Sequence, residues 1–295
     1  MSQPFFTIVI PTYNRAGFIL KTIDTILAQS FGNFEVIVID DGSSDNTNEV
    51  MKSITDGRVQ YVKKQNGERG AARNAGARLA KGKYINFVDS DDVLYPNHTE
   101  EAHRVISRDP SIKVFHLGYD VKEGDGKFLR NSSNIGNINK QLLTGNVLSC
   151  NAVFMEKEVA LANPFSENRV LSAIEDWELW LRLAAKYPIT HVPVITSTVV
   201  QHDERSVMSV NTDRIKAKMN LFIDMVSSNG DIRKTFGANV DKIIASVLTY
   251  TALHIAIAKA DRSEILSLTR RGILKNPGEM LSKRFFVILK LLVLR

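Results

Sequence analysis

A chain of 295 residues, 44% apolar and 24% charged, can bury a full core. It carries no low-complexity tract or internal repeat, which excludes a disordered, fibrous or repeat protein. Its single cysteine, Cys150, excludes an intramolecular disulfide and fits a reducing compartment, and its plain reading is a small buried hydrophobe.

The net charge of +6 is uneven. Residues 1–210 hold 23 Lys/Arg against 25 Asp/Glu, and residues 211–295 hold 15 against 7. A basic final third suits an anionic partner surface, but it lacks the interleaved aromatics or motif of a nucleic-acid binder, so no nucleic acid is expected. The opening "MSQPFFTIVIPTYN" has no basic start, and its apolar run is short for a signal peptide. No stretch reaches the ~18 apolar residues of a membrane span. A cytoplasmic chain is expected.

In chain order, "FFTIVI", "FEVIVID", "RVQYVKK", "KYINFVD" and "IKVFHLG" read as strands, being short and rich in β-branched or aromatic residues. Between them, "AGFILKTIDTILAQS", "SDNTNEVMKSI", "RGAARNAGARLA" and "NHTEEAHRVIS" have helical periodicity. This alternation predicts an α/β fold with a mostly parallel sheet flanked by helices. Ligands of such sheets gather beyond the carboxyl ends of the strands, which brings "PTYNR", "DDGSSD" and "DSDD" to one rim. Residues 119–150 read as loops or a hairpin, "NAVFME" as another apolar piece, "IEDWELWLRLAAKY" as a helix and "ITHVPVITSTVVQH" as a strand. From about 211 to 295 only helices are expected, with a boundary near residue 210.

Three carboxylates crowd the end of the fourth strand in "NFVDSDDVLYP": Asp89, Asp91 and Asp92. Like charges this close repel unless a cation lies among them, and hard oxygen ligands suit Mg2+ or Mn2+. A solvated turn is the plainer reading. A calcium loop is excluded, since neither Asp89 nor Asp41 has the glycine that such a loop needs at its sixth position. No G-x-G-x-x-G follows the first strand, and "NGERGAARNAG" has neither that spacing nor a P-loop lysine, so a bound nucleotide would need another means of neutralising its phosphates. In "VIVIDDGSSDNT", Ser43, Ser44 or Asp45 can cap the next helix, but capping leaves Asp40 and Asp41 unexplained; a carboxylate there can accept from a base N–H or a ribose hydroxyl.

"TIVIPTYNRAGFILKTIDTILAQSFGNFEVIVIDDGSSDNT", "GAARNAGARLAKGKYINFVDSDD" and "IEDWELWLRLA", in that order, resemble the family 2 glycosyltransferases of GT-A fold over roughly residues 4–205. The resemblance implies that Pro11 and Tyr13 frame the nucleotide base and that Asp41, with Asp40 beside it, contacts uracil or ribose. It places a basic nucleotide contact at Arg73, with Arg69 the competing assignment. Asp89 and Asp91 match the D-x-D, with Asp91 the direct metal ligand, Asp89 shared between metal and nucleotide, and Asp92 a supporting neighbour. Asp176 matches the general base in preference to Glu175, on a helix anchored by the stripe Trp177, Leu181 and Ala184; a simple helix-capping role is the alternative. His202 falls where the family often has a histidine reaching the metal or diphosphate. His98, His103, His116, His191 and His254 show no ligand spacing and are read as structural.

The implied protein has a GT-A catalytic domain at 1–210, with a donor half to about 118 and an acceptor half from 119, and a helical region at 211–295. The resemblance implies a metal-dependent inverting enzyme using Mn2+ or Mg2+ and a nucleotide-sugar, a UDP-sugar by the family's commonest usage. The sugar would pass to a glycan or lipid-linked acceptor in cell-envelope polysaccharide synthesis. A nucleotidyltransferase and a non-catalytic sugar-binding scaffold are the rival readings. The last helix, within 279–295, is expected to rest on an anionic membrane at the inner face, its alternatives being packing on the catalytic domain or on a second subunit of a homodimer.

Overall fold

The strand β1 (Phe6–Thr12) is buried along its whole length, so its apolar run faces protein on both sides of the sheet. The computed structural model describes residues 3–133, 135–201, 212–259 and 261–293, and His202 lies outside them. After β1 come α1 (Ala16–Leu27), β2 (Phe34–Asp40), α2 (Thr47–Lys52), β3 (Val59–Lys63), α3 (Glu68–Leu79), β4 (Tyr84–Phe87), β5 (Val93–Leu94) and α4 (His98–Arg108). Then come β6 (Val114–Glu123), β7 (Phe128–Asn131), α5 (Ile138–Leu142), β8 (Val153–Glu156), α6 (Lys157–Ala162), α7 (Glu175–Lys186) and β9 (Ile189–Gln201). Helices α8 (Thr212–Ser228), α9 (Gly230–Phe236), α10 (Val240–Ile257), α11 (Arg262–Lys275) and α12 (Lys283–Val293) complete the described chain.

The strands form one sheet in the order β3-β2-β1-β4-β8-β6-β9-β5, with β7 paired to β6. From β3 to β4 it is parallel, as the βα alternation predicts. Beyond β4 it is mixed: β8 runs antiparallel to both neighbours, whereas β6 and β9 are parallel. The reversal arises because β8 enters from the long loop after the β6–β7 hairpin rather than from a helical crossover.

Alternate residues of the parallel strands feed two layers. Ile8, Ile10, Val36 and Val38 pack with Ile19, Ile23 and Ile106 of α1 and α4. Val9 faces the opposite layer, in a cluster with Ala77, Phe87, Trp180, Phe222, Ile243 and Leu292. The change to helix-only structure past residue 210 therefore does not coincide with a separate core. Among the described residues one helical stretch, Gly230–Ile257, is long and apolar enough to cross a membrane by length and composition, contrary to the expectation of no such stretch; 61% of its most apolar 18-residue window is buried inside the protein.

Helix α3 lies close against the sheet because its inner face is Gly70, Ala71, Ala72, Gly76 and Ala77. A Cβ on Gly76 would fall 2.2 Å from Cγ1 of Val9. Gly76→Ala is therefore expected to destabilise by about 1–3 kcal/mol through overpacking, overriding the ~1 kcal/mol that alanine normally gains in a helix. The urea midpoint of unfolding measures it, and an unchanged or higher midpoint would contradict the close approach.

Of the histidines, His98 is buried between Thr196 Oγ1 (2.8 Å) and Asn86 Oδ1 (3.2 Å), and burial lowers its pKa to about 3. His116 and His191 are register partners on β6 and β9 with their Nδ1 atoms 3.1 Å apart, a proximity invisible in sequence spacing. At that distance one ring donates its N–H to the other.

Candidate active site

The carboxyl ends of β1, β2 and β4 open onto a cavity of about 790 Å³. Pro11, Tyr13, Arg15, Asp41, Arg69, Arg73, Asp89, Asp91 and Asp176 all line it, so the three sequence motifs do converge on one rim. Its backbone is strained: Asn14 (φ 51°), Glu68 (φ 74°) and Ala173 (φ 76°) are cavity-lining residues in the left-handed region, which costs on the order of 1–3 kcal/mol each. Side-chain bonds hold the first of these turns. Asn14 Oδ1 accepts from the backbone N–H of Ser44 (2.8 Å), and Asp45 accepts from the N–H groups of Ala16 and Thr47 (both 3.1 Å), tying the starts of α1 and α2 together.

On this rim Asp40 and Asp41 part company. Asp40 is fully buried, with its carboxylate accepting from Ser43 N–H (2.7 Å) and the Tyr61 hydroxyl (2.5 Å), and it is absent from the cavity wall. Its role is to close the turn, and the nucleotide contact expected of it has no access. Asp41 lines the cavity; its Oδ1 accepts from Lys64 Nζ (2.6 Å) and Gly67 N–H (2.9 Å). Tyr13 stands half exposed at the edge.

The aspartates after β4 divide similarly. Asp92 turns inward, accepting from Asn151 Nδ2 (2.9 Å) and Val200 N–H (3.3 Å), and so supports the loop. Asp89 and Asp91 face the cavity, each beside a guanidinium: Arg73 Nη2 lies 2.6 Å from Asp89 Oδ1, and Arg15 Nε lies 3.8 Å from Asp91 Oδ2.

Arg73 occupies a different place from the one expected. It is 1% exposed, donates from Nη2 to Asp89 and from Nη1 to Glu175 Oε1 (2.8 Å), and lies over the Phe165 ring. Protein groups thus take both terminal nitrogens. The guanidinium braces the first aspartate of the D-x-D against the start of α7, a job that only a fork of donors performs. Arg69, more open and 3.8 Å from Glu175, is the arginine of α3 better placed to reach a ligand.

At the start of α7, Trp177, Leu181 and Ala184 are buried as the stripe requires, and the Trp177 indole N–H donates to Leu142 O (3.0 Å). That anchors Asp176 at the cavity wall. Its Oδ1 accepts from Trp177 N–H (2.8 Å) and its Oδ2 from Asn146 Nδ2 (2.8 Å). Burial first, then the neighbouring Glu175 carboxylate, raises the Asp176 pKa to about 6, against the opposing pull of Arg73 and the two hydrogen bonds. A carboxylate so poised is a competent proton acceptor near neutrality. Cys150 also lines the wall, but burial pushes its thiol up, consistent with a packing role.

Sequence reasoning missed Asn146, whose side chain is bonded to Asp176, and Arg130 and Arg169, which line the same cavity. Asn146 sits in "LTGNVLSCN", an irregular loop with no periodicity to mark it.

Residues 7–158 match the family described as Glycosyl transferase family 2. An uncharacterized glycosyltransferase of Rickettsia felis is 32% identical over 197 residues, covering 63% of this chain and 32% of the relative, so the chain spans about a third of that protein's length. Among solved structures, S. aureus TarS 1–349 in complex with UDP-GlcNAc has a TM-score of 0.71 at 17% identity, over 98% of this chain and 88% of that one. The mannosyltransferase PcManGT from Pyrobaculum calidifontis, in complex with GDP-Man and Mn2+, has a TM-score of 0.61 at 15% identity, over 99% and 87%. The half-parallel, half-mixed sheet with its motif-bearing rim is thus the GT-A fold, and a chain matched over more than half its length belongs to glycosyl transferase family 2.

Proposed function

We propose that this chain transfers a sugar from a nucleotide-sugar, a UDP-sugar in the first instance, to a hydroxyl of a glycan or lipid-linked acceptor, with inversion at the anomeric carbon. The observation that carries this reading is that one cavity holds Asp176, poised near neutrality, together with Asp89 and Asp91. The UDP complexes of TarS support the choice of donor.

Pro11 and Tyr13 frame the base, and Asp41 accepts from a ribose hydroxyl or a base N–H. Asp176 takes the acceptor hydroxyl's proton as that oxygen attacks the anomeric carbon; the bond to the nucleotide diphosphate breaks on the opposite face. Asn146 and the Trp177 N–H hold the carboxylate in place for that transfer.

Asp89 and Asp91 would hold a divalent cation. Among the described residues no group of three or more His, Cys, Asp or Glu side chains gathers as a closed cage. Two carboxylates on an open wall suit Mg2+ or Mn2+, which take their remaining ligands from water and substrate phosphate. PcManGT was solved with Mn2+. Such an ion supplies charge stabilisation to the departing diphosphate.

Asp91→Asn is expected to reduce the affinity for UDP in the presence of Mn2+ to the value measured without metal, with thermal unfolding unchanged. Isothermal calorimetry reads it; a mutant that still gains from Mn2+ as wild type does would remove Asp91 from the metal site. Against a nucleotidyltransferase stands "PTYNR", where a glycine-rich phosphate loop would be needed after β1.

A further inference from the structure

Helix α12 has two different faces. Ile288 and Leu292 are buried in the core shared with α10, and Arg284 turns inward, donating to Ser246 O (2.6 Å) and Thr249 Oγ1 (2.9 Å). That contact realises the expected packing on the catalytic body. It covers only half of the helix. On the other side Phe286 (58% exposed), Leu289 (41%) and Val293 (82%) follow at i, i+3 and i+7, and Leu281 (84%) stands out just ahead of the helix.

Lys290 lies one turn beyond Phe286 on this stripe, Lys283 one turn before it, and both are exposed. The helix contains no acidic residue. An apolar stripe laced with cations, on a region holding 15 Lys/Arg against 7 Asp/Glu, is complementary to a surface that is apolar beneath and anionic on top. We propose that α12 docks this face on an anionic phospholipid bilayer, lying in the interface.

The 11 described residues of α12 rise about 16 Å, roughly half of the ~30 Å hydrocarbon core, and their two-faced pattern suits lying in the interface. A second copy of the chain is a poor occupant, because a two-fold contact would set Lys283 and Lys290 against their own equivalents. Lysine stems, in contrast, lie along lipid while their ammonium groups reach the phosphates. The opposite, inward side of α12 leads to the catalytic wall: Ser246 Oγ (2.5 Å) and Arg284 Nη2 (3.4 Å) both donate to Thr144 O, two residues from Asn146. Docking itself does not depend on the transfer chemistry and is read by binding alone.

Vesicle sedimentation of the full chain tests it, comparing phosphatidylcholine with mixed phosphatidylcholine–phosphatidylglycerol vesicles at low and high salt. Binding is expected only with phosphatidylglycerol and to fade with salt. Lys290→Ala should weaken partitioning about fivefold, and Phe286→Ser on the order of tenfold or more. Both positions are exposed, so thermal unfolding should match wild type. Failure to sediment with anionic vesicles at low salt would overturn the proposal, as would binding indifferent to both substitutions. A dimer in sedimentation equilibrium that Phe286→Ser dissociates, with vesicles ignored, would instead assign the face to self-association.

Discussion

Replacing Asp176 by Asn is expected to lower sugar transfer by on the order of 10²–10⁴-fold while nucleotide binding persists, the usual size of a general-base contribution. The substitution keeps the shape of the side chain and its place at the head of α7 but removes the proton acceptor. The pH dependence gives a second, independent reading. With a pKa raised to about 6, Asp176 is protonated and inactive below that value, so the rate should fall about tenfold per pH unit there and level off above it. Asn146 donates to the carboxylate and favours its ionised form. Asn146→Ala should therefore move the acid limb to higher pH, which kcat–pH profiles measure. Linkage supplies the stability sign: a carboxyl pKa higher folded than unfolded makes the folded state bind more protons between the two values. Stability is then lost as pH rises from the ordinary carboxylate range to about 6. Asp176→Asn should abolish that loss and unfold no lower than wild type at neutral pH. A variant transferring at the wild-type rate would move the base elsewhere, to Glu175 first.

Replacing Arg73 by Met is expected to cost about 3–5 kcal/mol of stability, the penalty for stranding a buried charge. Arg73 is 1% exposed, and its loss leaves Glu175, itself 3% exposed, without its close cationic partner. Combining Arg73→Met with Glu175→Gln should cost less than the sum of the single changes, because the double variant removes the charge that each single one strands. Arg73→Lys should not rescue activity, since one ammonium cannot span Asp89 and Glu175 as the two terminal nitrogens do. Urea unfolding measures the first two expectations and transfer assays the third. Additive single and double effects would mean that the brace contributes only packing.

Much of the fold was legible because local physics dictated it. The buried runs of β1 and β2, and the small-residue face of α3, carry their periodicity in plain view. The rim followed from topology, which places every βα turn at one end of the parallel strands. Harder to read were contacts that join distant segments. Arg73 and Glu175 stand 102 residues apart, and no local pattern near either one announces that a guanidinium will be consumed between them. Asp40 and Asp41 are adjacent, chemically alike and both buried, yet Asp40 closes the strand while Asp41, just past its end, lines the cavity. The antiparallel entry of β8 depends on the path of an irregular loop, for which residue types set no period.

The continuous core that runs from Val9 through Trp180 to Leu292 bears on how such enzymes can be recombined. Grafting the helices α8–α12 of a relative onto this sheet would replace one side of a packed interior, leaving facing surfaces of unmatched volume. The sheet and the helices therefore share one contribution to stability and cannot be exchanged independently. A workable chimera must transplant the sheet-facing side chains along with the helices that touch them.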